Sequence, residues 1–190
     1  MALVVPLKLT PDEFLAWERE QNERHHYVGG EVFAMAGGSV RHNALGAKAI
    51  VLIGGRLPNS ACRVCSSDQR IGLPNDEFVY ADAVVVCAPL TVRPGTTDVV
   101  TNPVVVVEVV SKSTEAYDRG AKQKGYLALP SVRHFVLVSQ RERRVEVYTR
   151  AESSFRYDVV VEGDIRLEAV GVTFTIDELY AGAFELPGED

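Results

Sequence analysis

Residues 103–124 read PVVVVEVVSKSTEAYDRGAKQK, a run of valines followed by a polar segment. Seven of the first eight residues are apolar, and the exception is Glu108. A run this rich in β-branched residues reads as a strand covered on both faces. An ionised carboxylate inside such a strand is costly unless a cation meets it. Glu108 is therefore expected to end a buried strand and to deliver its charge to a site. Ser111 to Thr114 offers helix caps, and a polar segment with Asp118, Lys122 and Lys124 follows. That segment is expected to be a helix reaching about Leu129.

The 190 residues suit one domain spanning positions 1–190, long enough to bury a core without disulfides or metals. The three cysteines are Cys62, Cys65 and Cys87. An odd, low count argues for a reducing, cytoplasmic setting. Cys62 and Cys65 form a CxxC, but a structural zinc site wants four ligands and no second pair follows. The opening MALVVPLKL lacks the basic start and apolar core of a signal peptide. No apolar run reaches membrane-spanning length, so a soluble protein with no membrane partner is expected. The net charge of −6 disfavours a general nucleic-acid binder. Part of that charge crowds the end of the chain, at Glu178, Glu185, Glu189 and Asp190.

Working outward, Thr10-Pro11-Asp12-Glu13 combines an N-cap, Pro at the first helical position and Glu three residues after the cap. His26–Phe33 reads as a hairpin turning at Gly29-Gly30. Ser39 caps a helix to about Leu57. Arg63–Leu73 reads as one strand and Phe78–Cys87 as another, with Asp82 inside it. A loop is expected from Ala88 to Asn102. Beyond the valine strand, Val132–Val138 is a strand, Val145–Thr149 and Phe155–Val161 pair as a hairpin, and Ile165–Thr175 adds edge strands. Thr175 caps a last helix over Ile176–Ala181. The order predicts an α/β (α+β) domain with a mixed central β-sheet flanked by helices.

Asp82 and Glu108 are each a lone acid in a strand of Ala and Val, on strands expected to be neighbours. Like charges that close favour a shared cation, and two carboxylates with carbonyl and water oxygens suit Mg²⁺ or Mn²⁺. Asp118, Lys122 and Tyr126 line one helical face. A lysine beside a scissile phosphate can orient water and stabilise developing negative charge. Glu31 is a further candidate acid near the metal. His42 and Ser111 are candidates for substrate contact, with Asp118. Arg141, Arg143 and Arg144 form a small basic turn.

The pattern resembles the restriction-endonuclease-like superfamily, PD-(D/E)XK, and within it the prokaryotic Uma group. The resemblance rests on Thr10-x-x-Glu13-Phe14, Gly30-Glu31, His42, Tyr80-Ala81-Asp82, Glu108-Val-Val-Ser111 and Asp118-Arg-Gly-x-Lys122 with Tyr126. It covers most of the chain. It implies a restriction-endonuclease-like core with extra β-hairpins. It also implies a Mg²⁺- or Mn²⁺-dependent endonuclease acting on DNA, with Asp82 and Glu108 as metal ligands and Lys122 as the catalytic lysine. The superfamily lysine two residues after the acid is Val110 here, so the resemblance places that lysine on the following helix. Duplex cleavage by so small a domain calls for two sites, hence a homodimer. The alternative is a nuclease fold retained as a binding or assembly module.

Overall fold

A computed structural model describes residues 4–35, 37–58, 61–111 and 115–189. Two facing breaks in one long antiparallel ribbon set its architecture. The strand expected over Arg63–Leu73 is two, β4 (Cys62–Ser66) and β5 (Arg70–Leu73). The strand expected over Phe78–Cys87 is also two, β6 (Glu77–Tyr80) and β7 (Ala83–Cys87). The breaks lie opposite each other, because Ser66 pairs with Ala83 and Arg70 with Tyr80. Polar residues 67–69 turn the first strand, and the Gln69 N–H closes the turn on the Ser66 carbonyl at 3.0 Å. On the facing strand the break falls at Ala81–Asp82.

The ribbon thereby passes from one sheet into another. The first sheet also takes β1 (Val4–Lys8), β2 (His25–Val28), β3 (Glu31–Ala34) and β8 (Val99–Val100), in the order β1-β3-β2-β6-β5-β8. The second takes the valine strand β9 (Pro103–Val110), β10 (His134–Ser139), β11 (Val145–Arg150) and β12 (Phe155–Val160), in the order β12-β11-β10-β9-β7-β4. Both sheets are mixed, since β9 runs parallel to β10 and β5 parallel to β8. The strands β13 (Asp164–Leu167) and β14 (Val172–Thr175) form a ribbon of their own. The expected mixed sheet flanked by helices is present, divided in two. β8 falls within the expected loop 88–102, where Val99 and Val100 gain from being fully buried.

The helices sit where their caps place them. Thr10 and Glu13 close a capping box on α1 (Pro11–Glu18), and Ser39 accepts the His42 N–H at the start of α2 (Val40–Arg56). Gly29 and Gly30 carry the hairpin turn at φ +60° and +81°, where a side chain would be strained. Thr175 and Glu178 cap α5 (Ile176–Tyr180) in the same way as α1. The valine strand is covered on both faces, as its sequence requires. Leu45, Ala49 and Ile53 of α2 pack on Val105, Val107 and Val109. On the opposite side Tyr126 packs with Val106 and Val110, alongside Phe135 of the neighbouring strand β10. The polar segment after β9 forms α3 (Glu115–Tyr117), one π-helical turn (Asp118–Lys122) and α4 (Gln123–Ala128). The cap expected at Thr114 lies outside the described residues.

Cys62 and Cys87 face each other across β4 and β7 and are joined by a disulfide, leaving Cys65 free. The reducing setting inferred from the cysteine count gains no support from that pairing. Among the described residues no helix is long and apolar enough to cross a membrane.

One ion pair ties the segment after β9 to the second sheet. The Arg119 guanidinium grips the buried Glu146 carboxylate with two 2.7 Å hydrogen bonds, and Tyr157 donates a third at 2.9 Å. Arg119 above all holds the Glu146 carboxyl down at about 2. A depressed carboxyl contributes stability above its unfolded pKa and loses it as pH falls through the folded one. The thermal midpoint is therefore expected to drop between about pH 4.5 and pH 2. In Glu146→Gln the midpoint at pH 7 should be lower by the equivalent of about 1.5–3 kcal/mol, and the acid loss should be smaller. Calorimetric scans across that pH range check both.

Candidate active site

Glu108 leaves the valine core on the same face as Val106 and Val110, and it is only 4% exposed. The Lys122 ammonium meets its Oε1 at 2.6 Å, and the Tyr126 hydroxyl donates to the same oxygen at 2.8 Å. Asp118 Oδ1 lies 3.4 Å from the ammonium on its other side. Lys122, Asp118 and Tyr126 are all buried. The expected face Asp118–Lys122–Tyr126 thus forms, through a π turn, a feature frequent at functional sites. Val110, two residues after Glu108, packs into the apolar cluster, and the lysine reaches the carboxylate from the helix above it.

Asp82 occupies the break between β6 and β7 because its carboxylate is engaged sideways. Oδ2 accepts the Val109 N–H at 2.7 Å, and Oδ1 lies 3.0 Å from His42 Nε2. One acid therefore links β9 to the first turn of α2. His42 can sit there only because residue 38 is Gly. A Cβ at Gly38 would lie 2.5 Å from His42 Cδ2.

Burial first, with Asp118 and Asp82 adding to it, pushes the Glu108 carboxyl up to about 8 against the pull of Lys122. Burial alone would depress the Lys122 ammonium, but Glu108 and Asp118 outweigh it and raise its pKa. The two shifts oppose each other, and the 2.6 Å contact favours the ion pair with Lys122 charged. His42 behaves similarly: burial lowers it, and the hydrogen bond to Asp82 leads the effects that raise it overall. Three carboxylates, Asp82, Glu108 and Asp118, thus face one ammonium and one imidazole.

Three of the four buried, unpartnered side-chain polar atoms among the described residues flank this cluster or the start of α2: His42 Nδ1, the Tyr117 hydroxyl and Gln140 Nε2. Buried polar groups are nearly always satisfied, so such a concentration marks groups awaiting a ligand or ordered water. Sequence reasoning named neither Tyr117 nor Gln140. Tyr117 stands next to Asp118 and its ring lies 5.8 Å from the Lys122 ammonium, a position its neighbours could have signalled. Gln140 is fully buried beyond β10, where its Oε1 accepts from the Ser39 hydroxyl, and no local pattern marks it.

The other candidates fall differently. Ser111 is buried at the end of β9, and its carbonyl accepts the Glu115 N–H at 2.8 Å. Glu31 is exposed on β3, and β2 separates that strand from β6. Among the described residues no three His, Cys, Asp or Glu side chains are grouped to hold a metal, so Glu31 does not complete a triad with Asp82 and Glu108. Asp68 pairs with Arg24, and the Gln69 amide donates to the carbonyls of Arg70 and Asp98. Of the basic turn, Arg143 pairs with Asp177 and Arg144 with Glu146. Arg141 lines a cavity of about 330 Å³ beside Val110 and Ser111.

The sequence profile of the family described as "Uma2: Putative restriction endonuclease" matches residues 11–175. A Synechocystis protein, slr1290, described as uncharacterized, is 34% identical over 178 residues, covering 92% of this chain and 93% of its own. A second from the same organism, sll1609, also described as uncharacterized, is 28% identical over 143 residues, 75% of this chain and 81% of its own. The crystal structure of "a putative nuclease belonging to DUF820" from Anabaena variabilis superposes with a TM-score of 0.75 at 16% identity. It covers 92% of this chain and 99% of its own, and so shows the shared fold.

An unpartnered buried hydroxyl costs about 1–3 kcal/mol. Tyr117→Phe removes that hydroxyl and keeps the ring over Lys122. Its thermal midpoint is expected to rise above that of the unsubstituted protein; a fall would mean that the hydroxyl has a partner in solution.

Proposed function

The chain belongs to the Uma2 family, and on that footing we propose that it is a Mg²⁺- or Mn²⁺-dependent endonuclease hydrolysing DNA phosphodiester bonds. We take residues 1–190 as one restriction-endonuclease-like domain working in the cytoplasm. The observation that carries the reading is the buried 2.6 Å contact between the Lys122 ammonium and Glu108, beside Asp82. An ion pair of this kind is poor value as mere stabilisation, because desolvating both charges offsets most of their attraction.

Two carboxylates, with no third His, Cys, Asp or Glu grouped with them among the described residues, are donors of the kind a hard cation takes when waters complete its shell. Asp82 and Glu108 would hold it, with carbonyl and water oxygens completing its shell. The excess of carboxylates over cationic side chains supports that assignment. When bound, such a cation lowers the pKa of its water and polarises a phosphoryl oxygen.

The remaining roles belong to the chain's own residues. Lys122, kept charged by Glu108 and Asp118, stabilises negative charge developing on the phosphoryl oxygens. Asp118 holds that ammonium in place from the helix. His42 fixes the Asp82 carboxylate, and its free Nδ1, with the Tyr117 hydroxyl, offers a hydrogen bond to a phosphate oxygen. Ser111 and Arg141, at the neighbouring cavity, contact the flanking strand.

The test is cleavage of plasmid and linear DNA by purified protein with Mg²⁺ or Mn²⁺. Asp82→Asn, Glu108→Ala and Lys122→Ala are each expected to lower the rate by about 100-fold or more. Cleavage that survives all three substitutions contradicts the proposal. A folded protein that neither cleaves DNA nor takes up Mn²⁺ supports a binding or assembly module instead.

A further inference from the structure

β12 is an outer strand of the second sheet, and its sequence is Phe155-Arg156-Tyr157-Asp158-Val159-Val160. It pairs with β11 through six consecutive residues without a bulge. Its other side is open among the described residues. Protein edges are usually guarded by charged side chains, Lys above all, by Pro, by a bulge or by very short length. This one has six residues, no Lys, Pro or bulge, and two charges of opposite sign that pair with each other. Tyr157 and Val159, with Val161 just beyond, are 47%, 40% and 56% exposed and project from one face. Tyr157 ends a row of rings across the sheet, with Phe135–Tyr148 at 5.8 Å and Tyr148–Tyr157 at 4.9 Å between centroids. The opposite face carries two opposite charges two residues apart, Arg156 and Asp158, which pair with each other at 2.6 Å while remaining 58% and 44% exposed. Arg156 also lies 3.5 Å from Glu168.

We propose that β12 pairs antiparallel with β12 of a second copy of this chain, about a two-fold axis that passes between the two Tyr157 residues, perpendicular to the sheet. The charges choose both the partner and the register. Directly opposed residues in an antiparallel pair share a face, so the axis passes midway between one residue and its own copy. An axis at Arg156 opposes two arginines, and one at Asp158 opposes two aspartates. An axis at Tyr157 places Arg156 opposite Asp158 twice, and Phe155 opposite Val159 twice. The strand is thus self-complementary in charge and in apolar contact, as an isologous interface demands. The main-chain groups of the open edge are satisfied by the same act.

Pairing there joins two six-stranded sheets into one of twelve strands. The two-fold axis keeps both copies of Glu108 on the same side of that sheet. They stand seven strand spacings apart, about 34 Å along the sheet. The interface does not depend on the nuclease reading, and its test reads mass rather than activity.

The experiment is light scattering on the full chain after size-exclusion chromatography, with sedimentation to obtain dissociation constants. The unsubstituted protein is expected to be a dimer. R156D and D158R each put like charges opposite twice and should weaken the dimer by about tenfold or more. The double variant R156D/D158R restores opposite charges and should restore the dimer. Val159→Lys, on the other face, should also give monomer with unchanged circular dichroism. A monomeric unsubstituted protein, single swaps that leave the dimer intact, or a double variant that stays monomeric would each overturn the proposal.

Discussion

A charged lysine held 2.6 Å from a carboxylate inside an apolar sheet is the constraint on which the rest of the structure depends. Neither charge could be buried alone, since an unpaired buried ion costs several kcal/mol. Each partner therefore fixes the element that carries it. Glu108 needs the valine strand covered on both faces, which α2 and α4 supply. Lys122 needs its helix segment close over that strand, and the π turn with Asp118 and Tyr126 brings it there. Arg119 then ties the same segment to β11 through Glu146.

The second constraint is the broken ribbon. An unbroken pair of strands would carry Asp82 inside a ladder. The break frees its carboxylate to accept the Val109 N–H and to hold His42. It also passes the chain from the sheet under α1 to the sheet under α2. The site thus lies where two sheets and two helices meet, a place where polar groups from different elements can converge. The cluster's surplus of negative charge and its flanking unpartnered polar atoms follow from that convergence.

Much of this was legible in the sequence, for identifiable reasons. A valine run with one acid admits few environments, so β9 and the burial of Glu108 could be read directly. The caps at Thr10, Ser39 and Thr175 and the Gly29-Gly30 turn are local chemistry, and local chemistry is legible. The spacing of Asp118, Lys122 and Tyr126 put them on one face despite the π turn. What could not be read depends on contacts distant in sequence. The breaks at 67–69 and at Asp82 are set by each other across the ribbon. The Cys62–Cys87 disulfide depends on the β4–β7 register, which no spacing reveals. Gln140 acquires its role only from Ser39, about a hundred residues away in the chain. Glu31 is a candidate in sequence because it is an acid directly after the Gly29-Gly30 turn, yet the hairpin holds it on β3, with β2 between it and β6, and exposed.

On the proposed reading Asp82 and Glu108 share a cation, whose place Lys122 alone does not take. A crystal soaked in Mn²⁺ and measured at the manganese absorption edge tests it most directly. One anomalous peak is expected between the Asp82 and Glu108 carboxylates, within about 2.0–2.3 Å of an oxygen from each. A well-ordered site with no peak there, and the Lys122–Glu108 contact unchanged, would contradict it.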